Sequence, residues 1–362
     1  MSWAAVIIGK TVITWPAVLT ALGAACTMLG TLGLHMARGR DPREPAAVFP
    51  AAVLFSLVAA RLVHWFCHPL LYTGFREAMT NYLQGGFSLA GAFAGTALAV
   101  LLAWGAGLVT RPGDLLDAMA PAAALGIGVG RLGSLYDLSD RGKFLVEDPE
   151  RQRLPFAALT EISPGVTEWR FATFFFQAMA AWALALALCA VFLVLTRRAR
   201  RTGEGVSGRV FALFLALYGA AQAVLDSTRY DADFFRFNGF VHLPQVLCGA
   251  AVFGAAVWLG VRSIKKNGFG WKPCLCWLMT LGGLGLAGYM EYYVQRHADL
   301  AARGYALMTG GMALTALAAA VLCASLRDRK PFRPEAPAKP GGKGGSGSGG
   351  AGEENCSQFG KK

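Results

Sequence analysis

Ala120-Pro-Ala-Ala-Ala-Leu-Gly-Ile-Gly-Val-Gly130-Arg131-Leu-Gly133-Ser134-Leu-Tyr-Asp137-Leu-Ser139-Asp-Arg-Gly142 is the stretch on which the fold turns. It is apolar up to a guanidinium, Arg131, which lies toward the end of the run. An arginine within a bilayer costs roughly 2.5–3.5 kcal/mol on insertion scales. A chain keeps such a charge where something anionic or polar meets it. In a membrane the first anion to consider at that depth is a phospholipid phosphate.

The rest of the chain carries the same signature. Of 362 residues, 55% are hydrophobic and only 15% charged, well below the roughly 25% of soluble proteins; the mean hydropathy is +0.44. Long apolar runs approach the roughly 20 residues that cross a hydrocarbon core, and backbone in lipid must satisfy itself as helix. The expectation is an all-α polytopic membrane protein with about nine spans, at 12–35, 47–69, 86–109, 116–136, 171–195, 208–228, 239–261, 273–293 and 303–325. No signal-peptide cleavage pattern precedes the first span, so that span is expected to remain as a helix.

The net charge of +12 does not point to nucleic acid, because the basic residues cluster between apolar runs. Arg38, Arg40 and Arg43 follow the first span; Arg197, Arg198, Arg200 and Arg201 the fifth; Arg262, Lys265 and Lys266 the seventh; Arg327, Arg329 and Lys330 the ninth. All fall at odd-to-even boundaries or after the last span, hence on one side. The positive-inside rule makes that side cytoplasmic, with the N-terminus outside and the C-terminus inside. The other side carries residues 70–85, with Tyr72, Arg76, Asn81 and Tyr82, and residues 137–170, expected as a small extracytoplasmic head. Residues 331–362, rich in Gly, Pro and Lys, cannot bury a core and are expected to be disordered.

Cys26, Cys189, Cys248 and Cys323 read as small buried hydrophobes. Cys274 and Cys276 form a CxC without neighbouring ligands and read as interfacial thiols rather than a metal site. Gly128-Val-Gly130-Arg131-Leu-Gly133 matches a dinucleotide fingerprint formally, but no strand precedes it. Its glycines, like Gly91 and Gly95, suit close helix packing.

A second polar element is Tyr218-Gly-Ala-Ala-Gln222-Ala-Val-Leu-Asp226-Ser-Thr-Arg229. Tyr218, Gln222, Asp226 and Arg229 share one helical stripe. Asp226 and Arg229 either simply pair with each other near the interface, or Asp226 orients Arg229 toward an anionic ligand. Arg61 lies near the outer end of its own span. Three arginines and a tyrosine at outer helix ends describe a phosphate-binding cleft better together than apart.

The order of these motifs resembles the prolipoprotein diacylglyceryl transferase family over residues 1–265. Gln84-Gly85-Gly86-Phe-Ser88-Leu-Ala90-Gly-Ala-Phe-Ala-Gly95 is similar to its GG-x-S-x-HGG-x-x-G segment. Ala120 to Gly142 resembles its AP…GR-x-GN-x-x-N-x-E-x-x-G signature, and Tyr218 to Arg229 its YG-x-x-RF-x-x-E-x-x-R helix. Gln245 matches a family glutamine. The departures are Ala90 for histidine, Ser134 and Asp137 for asparagines, Ser139 for glutamate, Gln222 for arginine and Asp226 for glutamate. Phe171 to Gln177 replaces the polar HP-x-Q-LYE segment. Spans eight and nine, in 266–330, lie outside the resemblance.

The resemblance implies transfer of a diacylglyceryl group from phosphatidylglycerol to the lipobox cysteine of a lipoprotein precursor, with no cofactor and no metal. It implies Arg131, Arg229 and Tyr218 as the catalytic set. Arg61, Gly133, Ser134, Asp137, Gly142, Gln222, Asp226, Gly85, Gly86 and Ser88 would form the substrate surface. With Ala90 in place of histidine, candidate bases are His64, His68 and His242. The alternative is a catalytically impaired member that binds phospholipid or serves assembly. A small-solute transporter fits the hydropathy but leaves the ordered motifs unexplained.

Overall fold

The computed structural model describes residues 4–8, 11–68, 71–80, 86–137, 140–163, 165–202, 207–230, 242–297 and 300–326. In chain order the elements are β1 (Ala4–Ile8), β2 (Thr11–Thr14), α1 (Trp15–Ala37), α2 (Arg43–Cys67), α3 (Phe75–Thr80), α4 (Leu89–Gly105), α5 (Pro112–Arg131), α6 (Ser134–Asp137), α7 (Pro149–Gln152), β3 (Ala157–Ser163), β4 (Val166–Phe171), α8 (Thr173–Thr202), α9 (Arg209–Ser227), α10 (Leu243–Asn267), α11 (Trp271–Arg296) and α12 (Ala301–Ser325). Among the described residues eight helices are long and apolar enough to cross a membrane, with the shorter apolar α4 beside them. The chain is a multi-pass membrane protein. The expected tail and the basic residues Arg327, Arg329 and Lys330 lie outside the described residues.

Helices pair chiefly as α1 with α5, α2 with α4, α5 with α8, α9 with α10 and α11 with α12. Small residues allow these approaches. A Cβ on Gly91 would strike the backbone of Ala59 and Ala60, and one on Gly95 that of Phe55. The glycines near Arg131 also serve packing: Gly126 faces Gly23 and Thr27, and Gly128 faces the Trp182 indole.

One end of the bundle is basic and ion-paired. Arg38 contacts Asp114 at 3.1 Å and Asp117 at 3.0 Å, while Arg40 reaches Asp114 at 2.6 Å. Asp117 also accepts the N–H groups of Gly208 (3.0 Å), Val210 (2.8 Å) and Phe211 (3.0 Å), capping the start of α9. These partners let α5 begin at Pro112, earlier than hydropathy alone places it. Likewise α8 continues through its arginines to Thr202, because long side chains carry their charges out of the apolar layer.

The opposite end departs from purely helical structure in two places. An N-terminal antiparallel hairpin, β1–β2, precedes α1. Within residues 140–171, β3 and β4 pair antiparallel and turn through Gly165, whose φ of +84° suits a residue without Cβ. Alternating β-branched and aromatic side chains in Val166-Thr-Glu-Trp-Arg-Phe171 favour this pleated form.

Candidate functional site

Three chain segments meet at this second end. α5 stops at Arg131, and Gly133 then packs so closely on Pro16 that a Cβ would lie 3.0 Å from its Cα. Tyr136 stacks on Trp15, with ring centroids 5.5 Å apart. Asp140 follows with φ of +56°, a left-handed conformation that Asp tolerates better than most residues. The next residues join the end of α9: Gly142 bridges Arg229, Lys143 N–H donates to Thr228 O (2.8 Å), and Tyr230 N–H donates to Arg141 O (2.7 Å). Gly142 N–H also donates to Phe171 O at 2.7 Å, and a Cβ there would stand 2.9 Å from that oxygen.

This seam turns the Asp140 carboxylate between two guanidinium groups. Arg131 Nη1 lies 2.7 Å from Oδ2, and Arg229 Nη2 lies 3.0 Å from Oδ1. The Ser134 hydroxyl donates to Oδ2 at 2.9 Å. Arg229 uses Nη1 for Asp226 Oδ1, 3.1 Å away, and Asp226 Oδ2 faces His242 Nδ1 at 3.3 Å. Asp226 and His242 are fully buried. The Tyr218 hydroxyl stands within electrostatic reach of Arg131, and its ring stacks on Phe214 at 5.3 Å.

Burial by itself would push the Asp140 pKa up, because it disfavours the charged form. Arg131, then Arg229, then the Ser134 hydroxyl outweigh that effect and hold the carboxyl well below the usual carboxylate range. The site is therefore a fixed anion between two fixed cations. The arginine side chains retain 16% and 14% of their accessibility. A guanidinium carries five N–H donors in a rigid fork that suits phosphate oxygens.

The stripe expected on α9 exists. Asp226 pairs with Arg229, which follows the end of α9, and Arg229 also reaches Asp140, a partner that the spacing did not indicate. Gln222 sits farther along and, with Gln177, Tyr218, Leu184 and Leu217, lines a cavity of about 290 Å³ between α8 and α9. Asp137 is exposed at the end of α6.

Arg61 belongs to a different cluster. It is buried, donates to Ala78 O and, at 2.9 Å, to Gly86 O, and its guanidinium lies 5.0 Å from the Tyr72 ring and 5.6 Å from the Phe87 ring. His64 stacks on His68 at 4.3 Å beside it. Gly86, at φ of +83°, would with a Cβ meet both His64 and Arg61. Ser88 N–H donates to Ala60 O at 3.1 Å and opens α4. Gly85 and Ser139 lie outside the described residues. Of the three candidate histidines, His242 is the one joined to Arg229 through Asp226.

Asp140 and Arg141 were not singled out from the sequence. Arg141 is 2% exposed, with its guanidinium 4.9 Å from the Phe174 ring. The available signal was an adjacent acid–base pair one residue beyond Ser139, nine residues after Arg131. Arg170 is the other omission. It lies 4.2 Å over the Tyr230 ring and donates to Lys143 O at 3.1 Å, tying β4 to the seam.

The family model described as prolipoprotein diacylglyceryl transferase matches residues 3–261. A phosphatidylglycerol–prolipoprotein diacylglyceryl transferase of Frankia alni is 30% identical over 234 residues, 61% of this chain and 56% of that protein. One of Leifsonia xyli subsp. xyli is 29% identical over 250 residues, covering 66% of this chain and 71% of the other. A third, of Streptococcus pyogenes, is 24% identical over 237 residues, 62% and 86% of the two chains. The chain thus spans little more than half the length of the Frankia protein.

Proposed function

This chain belongs to the prolipoprotein diacylglyceryl transferase family, and we propose that it moves the diacylglyceryl group of phosphatidylglycerol onto the lipobox cysteine of a lipoprotein precursor. The observation that carries this reading is the convergence of Arg131, at the end of α5, and Arg229, just past the end of α9, on opposite oxygens of Asp140. Two guanidinium groups locked a carboxylate apart form a cradle for one phosphate.

In the proposed reaction the cysteine sulfur attacks the glycerol carbon that bears the phosphate ester. A C–S bond forms, the C–O bond breaks, and glycerol phosphate leaves with the electron pair. The thiol proton passes to a base or to the departing phosphate. Charge grows on the leaving phosphate, so positioned arginines favour the transition state over the bound lipid. The thiolate is the reactive form of a thiol with a usual pKa of about 8.5, and the same positive field favours it. Asp140 and Asp226 hold the guanidinium planes still, with His242 behind Asp226. Gly133, Ser134 and Tyr218 stand beside the arginines as the surface for headgroup and glycerol oxygens; Arg61 of α2 would act from its separate cluster with Gly86, ahead of the start of α4.

The positive-inside pattern supports a basic bundle end facing the cytoplasm of a bacterial plasma membrane and an arginine site at the outer face, where a translocated precursor would present its cysteine. Purified protein incubated with phosphatidylglycerol and a lipobox peptide should yield peptide heavier by one diacylglyceryl group by mass spectrometry. Unmodified peptide under conditions where a related transferase works would refute the reading. A second reading, phospholipid binding without transfer, rests on Ala90 standing where the family has histidine. It predicts headgroup binding that depends on Arg131 and Arg229, with no thioether product.

A further inference from the structure

The family match ends at residue 261, yet two further helices, α11 and α12, follow it. Their polar side chains reach back toward the arginine pair. Glu291 of α11 is 2% exposed, and its Oε2 accepts a hydrogen bond from Gln245 Nε2 at 2.9 Å. Gln245 donates also to Ala223 O (3.2 Å), while its Oε1 accepts the His242 backbone N–H at 3.0 Å. His242 faces Asp226, Asp226 holds Arg229, and Arg229 reaches Asp140. From α12, Tyr305 Oη donates to Ser227 O at 3.2 Å, and its ring meets Phe144 edge-on at 5.7 Å.

The Gln245 amide is held from both sides: its NH2 turns to Glu291 Oε2 on α11 and to Ala223 O, and its oxygen takes the His242 backbone N–H at the start of α10. Burying a carboxylate between apolar helices is costly, and Glu291 is buried five residues before the last residue of α11. The second contact, from Tyr305, grips the last turn of α9, two residues before Arg229.

We propose that the two added helices brace the arginine pair, with Glu291 as a positioning residue acting through Gln245, His242 and Asp226 on Arg229. The inference rests on the transfer reading for its kinetic consequence but not for its structural one. The full chain is prepared as wild type, Glu291→Ala, Glu291→Gln, Tyr305→Phe and, as a control on an exposed face of α11, Leu281→Ala. Two readouts are taken: the imidazole 15N signals of His242, identified among the five histidines by loss in His242→Asn, and transfer of diacylglyceryl to a lipobox peptide at varied phosphatidylglycerol.

Glu291→Ala should shift the His242 signals and lower kcat/KM about tenfold or more. Glu291→Gln, which keeps an acceptor, should recover part of both, Tyr305→Phe should lower kcat/KM severalfold, and Leu281→Ala should change neither. Unmoved His242 signals in Glu291→Ala overturn the brace, as does a fall in thermal stability with kcat/KM unchanged. If wild type transfers nothing, the transfer reading alone has failed, and the brace is decided by the His242 signals.

Discussion

Arg229 Nη2 lies 3.0 Å from Asp140 Oδ1, joining the end of α9 to the segment that follows α5. Arg131 occupies the other carboxylate oxygen at 2.7 Å. Asp140 is thus the piece that converts two separate helix-end arginines into one cation pair.

Asp140→Ala should leave two guanidinium groups facing each other without their shared anion. Removing one partner of a buried ionic cluster costs on the order of 3 kcal/mol. Thermal unfolding in detergent should show a clear loss, and diacylglyceryl transfer should fall at least tenfold in protein that remains folded. Asp140→Glu, whose carboxylate stands one methylene farther from the backbone and so leaves the 2.7 and 3.0 Å contacts, should not restore it.

Arg229→Lys keeps the charge but not the fork. The native side chain serves Asp226 with Nη1 and Asp140 with Nη2. A lysine offers one point of charge and cannot hold both at this separation. Transfer kcat/KM measured against phosphatidylglycerol should drop by more than tenfold, although net charge is unchanged.

The Asp140 carboxyl is held below the ordinary range by Arg131 and Arg229 against the opposing effect of burial. A depressed native pKa stabilises the fold fully above the unfolded value of about 3.9, and the stabilisation is lost as pH falls through the native value. The gap in unfolding midpoint between wild type and Asp140→Asn should therefore be constant from pH 8 to pH 5. It should narrow only below about pH 4. A gap that changes between pH 8 and pH 5 would assign the effect to another group.

Gly95 meets the carbonyl of Phe55 across the α2–α4 contact, with no space for a Cβ. Gly95→Val should separate the two helices and destabilise the protein by about 1–3 kcal/mol, as overpacking does. Gly105, whose Cβ position is open, should accept alanine with no change in unfolding midpoint.

Ala90 lies in the first turn of α4, half-buried, where the family pattern has histidine. Ala90→His should raise the rate of thioether formation by at least about tenfold if the missing group is the general base, whose usual contribution is 10²–10⁴. An unchanged rate, measured by the same mass-spectrometric assay, would show that proton transfer is served elsewhere in this chain.

The apolar runs determined by themselves that this is a multi-pass helical membrane protein, because lipid leaves the backbone no other partner. Periodicity put Tyr218, Gln222, Asp226 and Arg229 on one stripe, and motif order identified Arg131 and Arg229 as partners. The hairpin in residues 157–171 escaped because short strands give a weak signal beside strong hydropathy. The role of Asp140 and the reach of Glu291 were decided by tertiary structure alone. Both depend on where a chain reversal and a distant helix bring a carboxylate, and no local spacing in the sequence encodes that distance.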